Sequence, residues 1–296
     1  MPITELLEKN AQMYGDEVSL VEINPKAMEH AKVTWREYSL IETNPMEAGR
    51  TEITWKEFDK RSNRFANLLL SRGIKKGDKV AILLMNCLEW LPIYFGILKA
   101  GAIAVPLNYR YTADEIKYCL ELAEADVLVF GPEFIGRVEE ISDRIPGVKQ
   151  TFYVGAECPT FAESYDYLVK FMRSIKPDVE ITDDDNAAIY FSSGTTGFPK
   201  AILHAHWFGS LISGGKAVLL KGIKPEWILQ AVSEEECTIV WLLVPWAQDI
   251  LDAIESGEVK LDKYKLDQWR LMHIGAQPVP PSLIKSCLLY TSDAAD

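Results

Sequence analysis

A short run rich in hydroxyl-bearing residues and glycine lies at Tyr190 to Lys200, which read YFSSGTTGFPK. The positions from Ser192 to Lys200 contain two serines, two threonines, two glycines and one lysine. Hydroxyls and backbone N–H groups donate hydrogen bonds to phosphate oxygens, glycine lets the backbone approach a bulky anion, and lysine adds a positive charge. These residue types at this spacing predict a phosphate-binding loop.

An ordinary turn and a Walker-type loop are the alternatives for this run. A loop rich in Gly, Ser and Thr is usually only a turn, but here the hydroxyls are consecutive and a hydrophobic segment, 187–191, precedes them. A Walker loop needs Gly-x-x-x-x-Gly-Lys-Ser/Thr at the start of a helix, whereas this chain has Gly194-x-x-Gly197-x-x-Lys200. Pro199 and the apolar residues after Lys200 favour a strand–loop–strand arrangement.

Strand-like and helix-like segments alternate along the chain and would position this loop. Capping boxes at Thr54/Glu57 and Thr112/Glu115 predict helices that run to about Arg72 and Ala125. The remaining predicted segments are a helix near the N-terminus, strands at 79–84, 102–107, 126–130, 238–244 and 271–274, and helices at 88–100, after Pro225, from Pro245 and from Pro280. Strands joined by helices of this length pair in parallel. The predicted fold class is α/β, with layered, mostly parallel sheets and flanking helices.

Two segments resemble each other at an offset of 20 residues, Thr34–Tyr38 (TWREY) and Thr54–Phe58 (TWKEF). Two copies are too few for a repeat architecture. The first copy predicts an extra edge strand before the first core helix. A coincidental similarity between the two segments is an equally good interpretation.

Composition limits the class of protein. A net charge of −12 argues against a nucleic-acid partner. The five cysteines are scattered without a CxxC pair, which predicts reduced thiols in a cytoplasmic protein: Cys87, Cys119, Cys158, Cys237 and Cys287. The N-terminus lacks the features of a signal peptide, and the most apolar run, Leu91–Val105, is interrupted by Lys99. We therefore expect no integral membrane segment.

The run from Ser192 to Lys200 resembles the signature phosphate-binding loop of the adenylate-forming superfamily. That superfamily includes acyl-CoA synthetases, adenylation domains of peptide synthetases and beetle luciferases. Lys75–Tyr109 is similar to the first family motif, and Gly275–Pro280 resembles the segment that lines the adenine pocket. The resemblance covers nearly all of Thr54–Lys285 and is strongest to fatty or aromatic acyl-CoA synthetases.

The resemblance implies a two-step reaction. A small-molecule carboxylate attacks ATP to form an acyl-adenylate, pyrophosphate leaves with Mg²⁺ support, and coenzyme A then takes the acyl group. It also implies the cofactor-binding residues: Ser192, Ser193, Thr195 and Thr196 as hydroxyl donors, Gly194 and Gly197 for close backbone approach, Phe198 and Pro199 within the loop, Lys200 as charge anchor or loop holder, and Gly275, Ala276, Gln277 and Pro278 against adenine. A strand-end turn is the alternative for Gly275.

The chain departs from the family pattern in two places. Residues 1–286 are expected to form a partial N-terminal AMP-binding domain, with an internal deletion near 206–207, where several tens of family residues are missing. Residues 287–296 resemble the in-frame translation of a transposase adaptor used in sequencing libraries, and the small C-terminal domain is absent. His204 and His206 flank the apparent deletion, and a structural role for them is as good an interpretation as a functional one.

Because the family's catalytic residues and acidic magnesium ligand are expected downstream, no catalytic residue and no metal ligand is assigned in this chain. We expect the fragment itself to be inactive. The bulky run Trp241–Trp246 fits either an acyl or aryl wall or plain core, with core favoured. Fatty, benzoate-like and small branched acids stay open as substrates. An adenylation domain of a peptide synthetase and a non-catalytic nucleotide- or acyl-binding relative stay open as alternatives.

Overall fold

The computed structural model describes residues 1–29, 49–192, 200–204, 214–275 and 278–289. The chain divides into two units, one formed by Met1–Val21 with Glu52–Ala217, the other by Glu22–Thr51 with Val218–Asp296. The candidate phosphate loop belongs to the first unit and the candidate adenine segment to the second.

Helices and strands alternate through the described residues, as the sequence predicts. The helices are α1 (Ile3–Met13), α2 (Pro25–Glu29), α3 (Trp55–Ser71), α4 (Trp90–Lys99), α5 (Ala113–Ala123), α6 (Ile135–Ile141), α7 (Tyr165–Val169), α8 (Pro225–Glu234), α9 (Val244–Glu255) and α10 (Pro281–Leu289). The strands are β1 (Val18–Ile23), β2 (Arg50–Thr54), β3 (Lys79–Leu83), β4 (Ile103–Pro106), β5 (Val127–Phe130), β6 (Gln150–Tyr153), β7 (Glu163–Ser164), β8 (Ala188–Ser192), β9 (Lys200–His204), β10 (Ala217–Leu220), β11 (Ile239–Leu243) and β12 (Leu271–Gly275).

A seven-stranded sheet forms the centre of the first unit, in the order β7-β6-β5-β3-β4-β8-β9. Its strands pair in parallel from β7 to β8, and only β9 runs antiparallel to its neighbour. The predicted α/β class with a mostly parallel sheet is therefore confirmed.

Helices cover both faces of this sheet. Successive side chains of a strand point to opposite faces, so alternate residues of one strand join different clusters. Val80 and Ile82 of β3 join a cluster with residues of α3 and α4, whereas Ala81 and Leu83 join a cluster with residues of α5 and α6. A parallel sheet covered by helices on both faces explains why its strands are continuously apolar in sequence. Leu91–Val105 contains most of buried α4 followed by the buried first part of β4, as predicted.

The two predicted capping boxes differ in detail. At α5 both halves form: the Thr112 hydroxyl accepts from the Glu115 N–H, and the Glu115 carboxylate accepts from the Thr112 N–H. At α3 the Thr54 hydroxyl accepts from the Glu57 N–H at 3.2 Å, but the Glu57 carboxylate accepts from Arg61 one turn further along. The sequence pattern located both helix starts correctly and mispredicted the partner of one side chain.

The second unit contains a two-stranded parallel sheet, β11–β12, with Trp241 opposite His273 and Leu243 opposite Gly275. Leu242 and the other side chains on one face pack into a cluster with α8 and α9. A further three-stranded sheet has the order β10-β1-β2. The segment Thr34–Tyr38, predicted as an edge strand, lies outside the described residues. No described helix combines the length and the apolar character that a bilayer crossing requires.

Candidate functional site

The candidate phosphate loop joins two antiparallel strands. Ser192, the last residue of β8, is the Cα partner of Lys200, the first residue of β9. Residues 193–199 therefore leave and re-enter the sheet at neighbouring positions. This confirms the strand–loop–strand prediction and shows that the Walker alternative is wrong, since a helix would have to follow the lysine.

The interior of the loop lies outside the described residues: Ser193, Gly194, Thr195, Thr196, Gly197, Phe198 and Pro199. Ala276, Gln277 and His206 also lie outside them. His204 is the last residue of β9, where its Cα pairs with that of Ala188. The structure thus brings the two ends of the predicted loop together.

A buried helix supports the strand that leads into the loop. The hydroxyl of Tyr190 on β8 lies 3.3 Å from the hydroxyl of Tyr94, which is fully buried on α4. Burial and the neighbouring Tyr190 raise the pKa of Tyr94 far above the ordinary range, so its hydroxyl stays neutral and able to hydrogen bond. Tyr94 also stacks on Trp90 with ring centroids 5.4 Å apart. Strand β8 is therefore held from the core side, two residues before Ser192.

The other side of β8 contacts the parallel part of the sheet. Ala104 of β4 is the Cα partner of Ala188, and the Ala104 N–H donates to the carbonyl of Ala187 at 2.9 Å. Because β4 and β8 run in parallel, their carboxyl ends lie at one edge of the sheet. In open α/β sheets this edge is where ligands bind, and it is the edge from which residues 193–199 leave.

A rigid turn follows β4 at this same edge. The Asn108 side chain accepts from the Arg110 N–H at 3.0 Å, and Arg137 on α6 donates to the carbonyls of Tyr109 and Tyr111 at 2.7 and 2.9 Å. The turn exposes the Arg110 guanidinium, whose Nε donates to the Tyr109 hydroxyl and which forms no ion pair with any described carboxylate.

Gly275, in the second unit, ends β12 just before the rest of the predicted adenine segment. Its φ lies outside the left-handed region, and among the described residues a Cβ built there would meet only the exposed His273 ring, at 3.7 Å. The turn at Gly275 therefore does not require glycine for backbone reasons. Pro278 resumes the described chain, exposed and ahead of α10.

The AMP-binding enzyme family matches residues 7–208, which is more than half of the chain. The chain belongs to this family. The match includes β8, the loop and β9, and it ends at residue 208, close to the position where the sequence predicts an internal deletion.

Two named relatives of the chain are CoA ligases. The chain is 36% identical over 149 residues to the long-chain-fatty-acid–CoA ligase FadD13 of Mycobacterium tuberculosis (strain ATCC 25618 / H37Rv), covering 49% of the chain and 28% of the relative. It is 32% identical over 149 residues to the 3-hydroxybenzoate–CoA/4-hydroxybenzoate–CoA ligase of Thauera aromatica, with 50% and 28% coverage. The chain thus spans about 28% of the length of these curated relatives.

A solved structure has a similar fold. The crystal structure of the anthranilate CoA ligase AuaEII in complex with anthranoyl-AMP superimposes with a TM-score of 0.81 at 21% identity, covering 98% of this chain and 58% of that chain. At this identity the similarity concerns the fold. The predicted architecture, part of the N-terminal domain of an adenylate-forming enzyme, is confirmed.

The five cysteines of the chain are all free thiols. Burial, with the nearby charge of Glu115, raises the pKa of Cys119 to about 12, which keeps this thiol protonated and unreactive. Among the residues that the structure describes, no group of three or more His, Cys, Asp or Glu side chains is placed to hold a metal ion.

Sequence reasoning missed the Asn108–Tyr111 turn as part of this edge. Asn108 and Tyr109 end the first family motif, and the whole turn follows the strand predicted at 102–107, which was the available signal. The contribution of Arg137 had no local signal, because it lies 26 residues or more further along the chain and reaches the turn only in the folded state.

The run Trp241–Trp246 divides between core and surface. Leu242 is 2% exposed and joins the core, whereas Trp241 is 54% exposed on the opposite face of β11. The interpretation of the whole run as plain core is therefore wrong for Trp241, since strand alternation turns it away from the cluster that buries Leu242.

Proposed function

We propose that the protein from which this chain derives activates a carboxylic acid with ATP. The carboxylate attacks the α-phosphate, forming an acyl-adenylate and releasing pyrophosphate, and the thiol of coenzyme A then displaces AMP to give an acyl-CoA. The observation that carries the proposal is the hydroxyl-rich segment 193–199, held between paired strand ends at the carboxyl edge of the sheet in a member of the AMP-binding enzyme family.

Charge repulsion is the physical obstacle in the first step, because an anion must approach a polyanion. Hydrogen-bond donors fixed around the leaving phosphates stabilise the charge that develops there. In this proposal the hydroxyls of Ser192, Ser193, Thr195 and Thr196 donate to phosphate oxygens, Gly194 and Gly197 allow close backbone approach, Phe198 and Pro199 shape the loop, and Lys200 supplies positive charge or holds the loop. The pairing of Ser192 with Lys200 supports it, since fixed ends lower the entropy lost when a loop orders around a ligand.

We assign adenine binding to Gly275, Ala276, Gln277 and Pro278. The strand-end-turn alternative for Gly275 predicts a backbone that needs glycine. Instead its φ is ordinary and a Cβ would make only van der Waals contact. The backbone at this position does not require glycine, so the absence of a side chain at Gly275 is consistent with space for the flat adenine ring.

Mg²⁺ would neutralise charge on the leaving pyrophosphate. The described residues offer no cluster for it, and we assign no ligand. Coenzyme A is proposed as co-substrate on the strength of the relatives, which are named CoA ligases.

The proposed substrate class is a fatty or aromatic carboxylic acid. One relative is named for long-chain fatty acids and another for hydroxybenzoates. The substrates named for these two relatives support a carboxylic acid with a large apolar group. They do not distinguish an alkyl chain from an aromatic ring. The acidic chain and its free thiols support a cytoplasmic enzyme that acts on a small molecule, with no nucleic-acid partner.

We further propose that residues 1–286 are a partial N-terminal domain with an internal deletion near 206–207, and that 287–296 derive from an adaptor. The end of the family match at residue 208 supports the first point. On this proposal the 296-residue chain does not itself catalyse acyl-CoA formation. Re-amplifying the locus and sequencing through codons 206 and 287 tests this, and uninterrupted natural coding sequence at both places would contradict it.

The decisive experiment uses the protein expressed from the uninterrupted gene. It is incubated with ATP, Mg²⁺ and hydroxylamine over a panel of fatty, aromatic and amino acids, and acyl-hydroxamates are measured. Hydroxamate from a fatty or aromatic acid supports the proposal. Hydroxamate only from amino acids would identify a peptide-synthetase domain, and a thermal shift with ATP–Mg²⁺ without any hydroxamate would identify a non-catalytic binding protein.

A further inference from the structure

A patch of exposed apolar and basic side chains covers the segment from Tyr167 to Lys176 in the first unit. Tyr167, Phe171 and Ile175 are 62%, 68% and 62% exposed, and the rings of Tyr167 and Phe171 contact each other with centroids 5.0 Å apart. We call Tyr167, Lys170, Phe171, Arg173, Ile175 and Lys176 the aromatic–basic surface. It is independent of the candidate nucleotide site and of the proposed function.

The core does not account for these exposed apolar residues. The inward side of the same segment is already occupied, since Tyr165 is buried and Leu168 and Met172 pack against the main cluster of the unit. A soluble surface would carry polar residues at the outward positions. Here two of the outward positions carry aromatic rings that contact each other at the surface.

The charges of this surface are of one sign. Tyr167 to Lys176 contains Lys170, Arg173 and Lys176 and no carboxylate, in a chain whose net charge is −12. Lys176 pairs with Glu8 at 2.9 Å, whereas Lys170 and Arg173 are exposed and form no ion pair with any described residue. The nearest acid along the chain is Asp166: burial raises its pKa, and the Gly155 N–H and the charges of Lys170 and Arg61 lower it in turn. Lys170 therefore has one acidic neighbour outside ion-pair distance, and both cations lie beside the two exposed rings where an external anion can reach them.

We propose that the aromatic–basic surface binds the surface of an anionic lipid bilayer. Aromatic rings favour the membrane–water interface, and Lys and Arg bury their alkyl stems there while their charged ends reach the headgroups. Basic residues near an anionic leaflet add attraction that salt screens. An acidic peptide would satisfy the cations but would leave both rings without a function, so the combination favours a bilayer.

The test is co-sedimentation of the purified 296-residue chain with sucrose-loaded vesicles. One set is neutral phosphatidylcholine and the other contains about one third phosphatidylglycerol. We expect binding to the anionic set only, at low salt, and its loss at high salt. The charge reversal Lys170→Glu with Arg173→Glu should lower the partition coefficient at least about thirtyfold, because each basic residue contributes about fivefold. Phe171→Ser, which keeps both cations, should lower it about tenfold through lost apolar burial.

A control reverses one lysine and replaces one exposed apolar residue elsewhere on the unit. Lys117→Glu with Leu122→Ser changes a half-buried lysine and an exposed leucine of α5, and it should keep more than half of the binding of the unchanged chain to anionic vesicles. Circular dichroism of each variant checks folding. Equal binding to both vesicle types, or loss in the control equal to that in Lys170→Glu with Arg173→Glu, would overturn the proposal. So would dimerisation that Phe171→Ser abolishes without vesicle binding, since it would assign the surface to a second copy.

Discussion

Ser192 and Lys200 are direct partners across the antiparallel pair β8–β9. The hydroxyl-rich segment between them therefore begins and ends at neighbouring positions at one edge of the sheet. Parallel β4 fixes β8 on one side, and the hydroxyl contact between Tyr94 and Tyr190 fixes it towards the core. A glycine-containing segment is thus anchored on a rigid base.

The first prediction concerns the cation at the end of this segment. In the protein from the uninterrupted gene, Lys200→Met should raise the apparent Kd for ATP–Mg²⁺ about tenfold to a hundredfold, because a hydrogen bond to a charged group contributes about 1.5–3 kcal/mol. Isothermal titration measures it. Lys117→Met, which removes a half-buried lysine paired with Glu121, is the control and should leave the affinity for ATP–Mg²⁺ unchanged. Unchanged affinity in Lys200→Met would show that Lys200 does not contact phosphate.

Local patterns in the sequence were enough to predict most of the first unit. Capping residues and apolar periodicity located α3, α5 and the parallel strands, because these signals act over a few residues. The strand order could not be derived, since it depends on pairs such as Val80 with Val127 that are distant in sequence. The strand–loop–strand arrangement was predictable because Pro199 and the apolar run after Lys200 favour a strand over a helix there.

The remaining differences have the same cause. In the sequence, Lys99 only interrupts an apolar run. In the structure, carboxylates from α1 and α3 pair with it, and the sequence gives no local sign of these contacts. Trp241 lies in an apolar run of the sequence, but the alternation of side chains along β11 exposes it in the structure. For the candidate site, the sequence predicted residue types and loop ends, while the support from Tyr94 and the turn held by Arg137 depend on tertiary contacts.

The second prediction concerns the buried ammonium of Lys99, which is 2% exposed. It donates to Asp59 at 2.7 Å, to Asn63 at 2.9 Å and to Glu8 at 3.2 Å. Lys99→Met should lower the free energy of unfolding by about 3 kcal/mol, because it leaves the partly buried carboxylate of Asp59 without a cation. Urea titration measures the loss.

The matched control for Lys99 uses the same acceptor. Lys176 pairs with the other oxygen of Glu8 but is 56% exposed. Lys176→Met should cost less than about 1 kcal/mol, as solvent screens exposed pairs. Equal losses in the two variants would mean that burial does not determine the contribution of this ion pair.

The third prediction concerns pH and Asp126 at the start of β5. Burial alone would raise the pKa of Asp126, but hydrogen bonds from Lys149 and from the Lys79 N–H outweigh it and hold this pKa below its usual range. A carboxyl whose pKa is lowered on folding stabilises the protein above its unfolded pKa of about 3.9 and loses that contribution as pH falls through its folded value.

Asp126→Asn keeps the acceptor for Lys79 and removes the titration. The difference in unfolding free energy between the unchanged chain and Asp126→Asn should be largest near pH 7 and should shrink below about pH 4. Denaturant titrations at several pH values measure it. Lys149→Met should reduce the pH dependence by removing the strongest partner of the carboxylate. A difference that stays constant from neutral to acidic pH would contradict the assignment.

The fourth prediction concerns the close approach of α3 and α4 beneath the parallel sheet. A Cβ on Gly96 would lie 2.9 Å from both the Phe65 Cβ and the Ser62 carbonyl oxygen, neither of which can rotate away. Gly96→Ala must therefore separate the helices and should lower the unfolding free energy by about 1–3 kcal/mol. A Cβ on Gly136, exposed on α6, would have no atom within 4 Å, so Gly136→Ala should stabilise the chain by about 0.5–1 kcal/mol. Paired denaturant titrations distinguish the two, and stabilisation by both substitutions would show that the helices are not in close contact at Gly96.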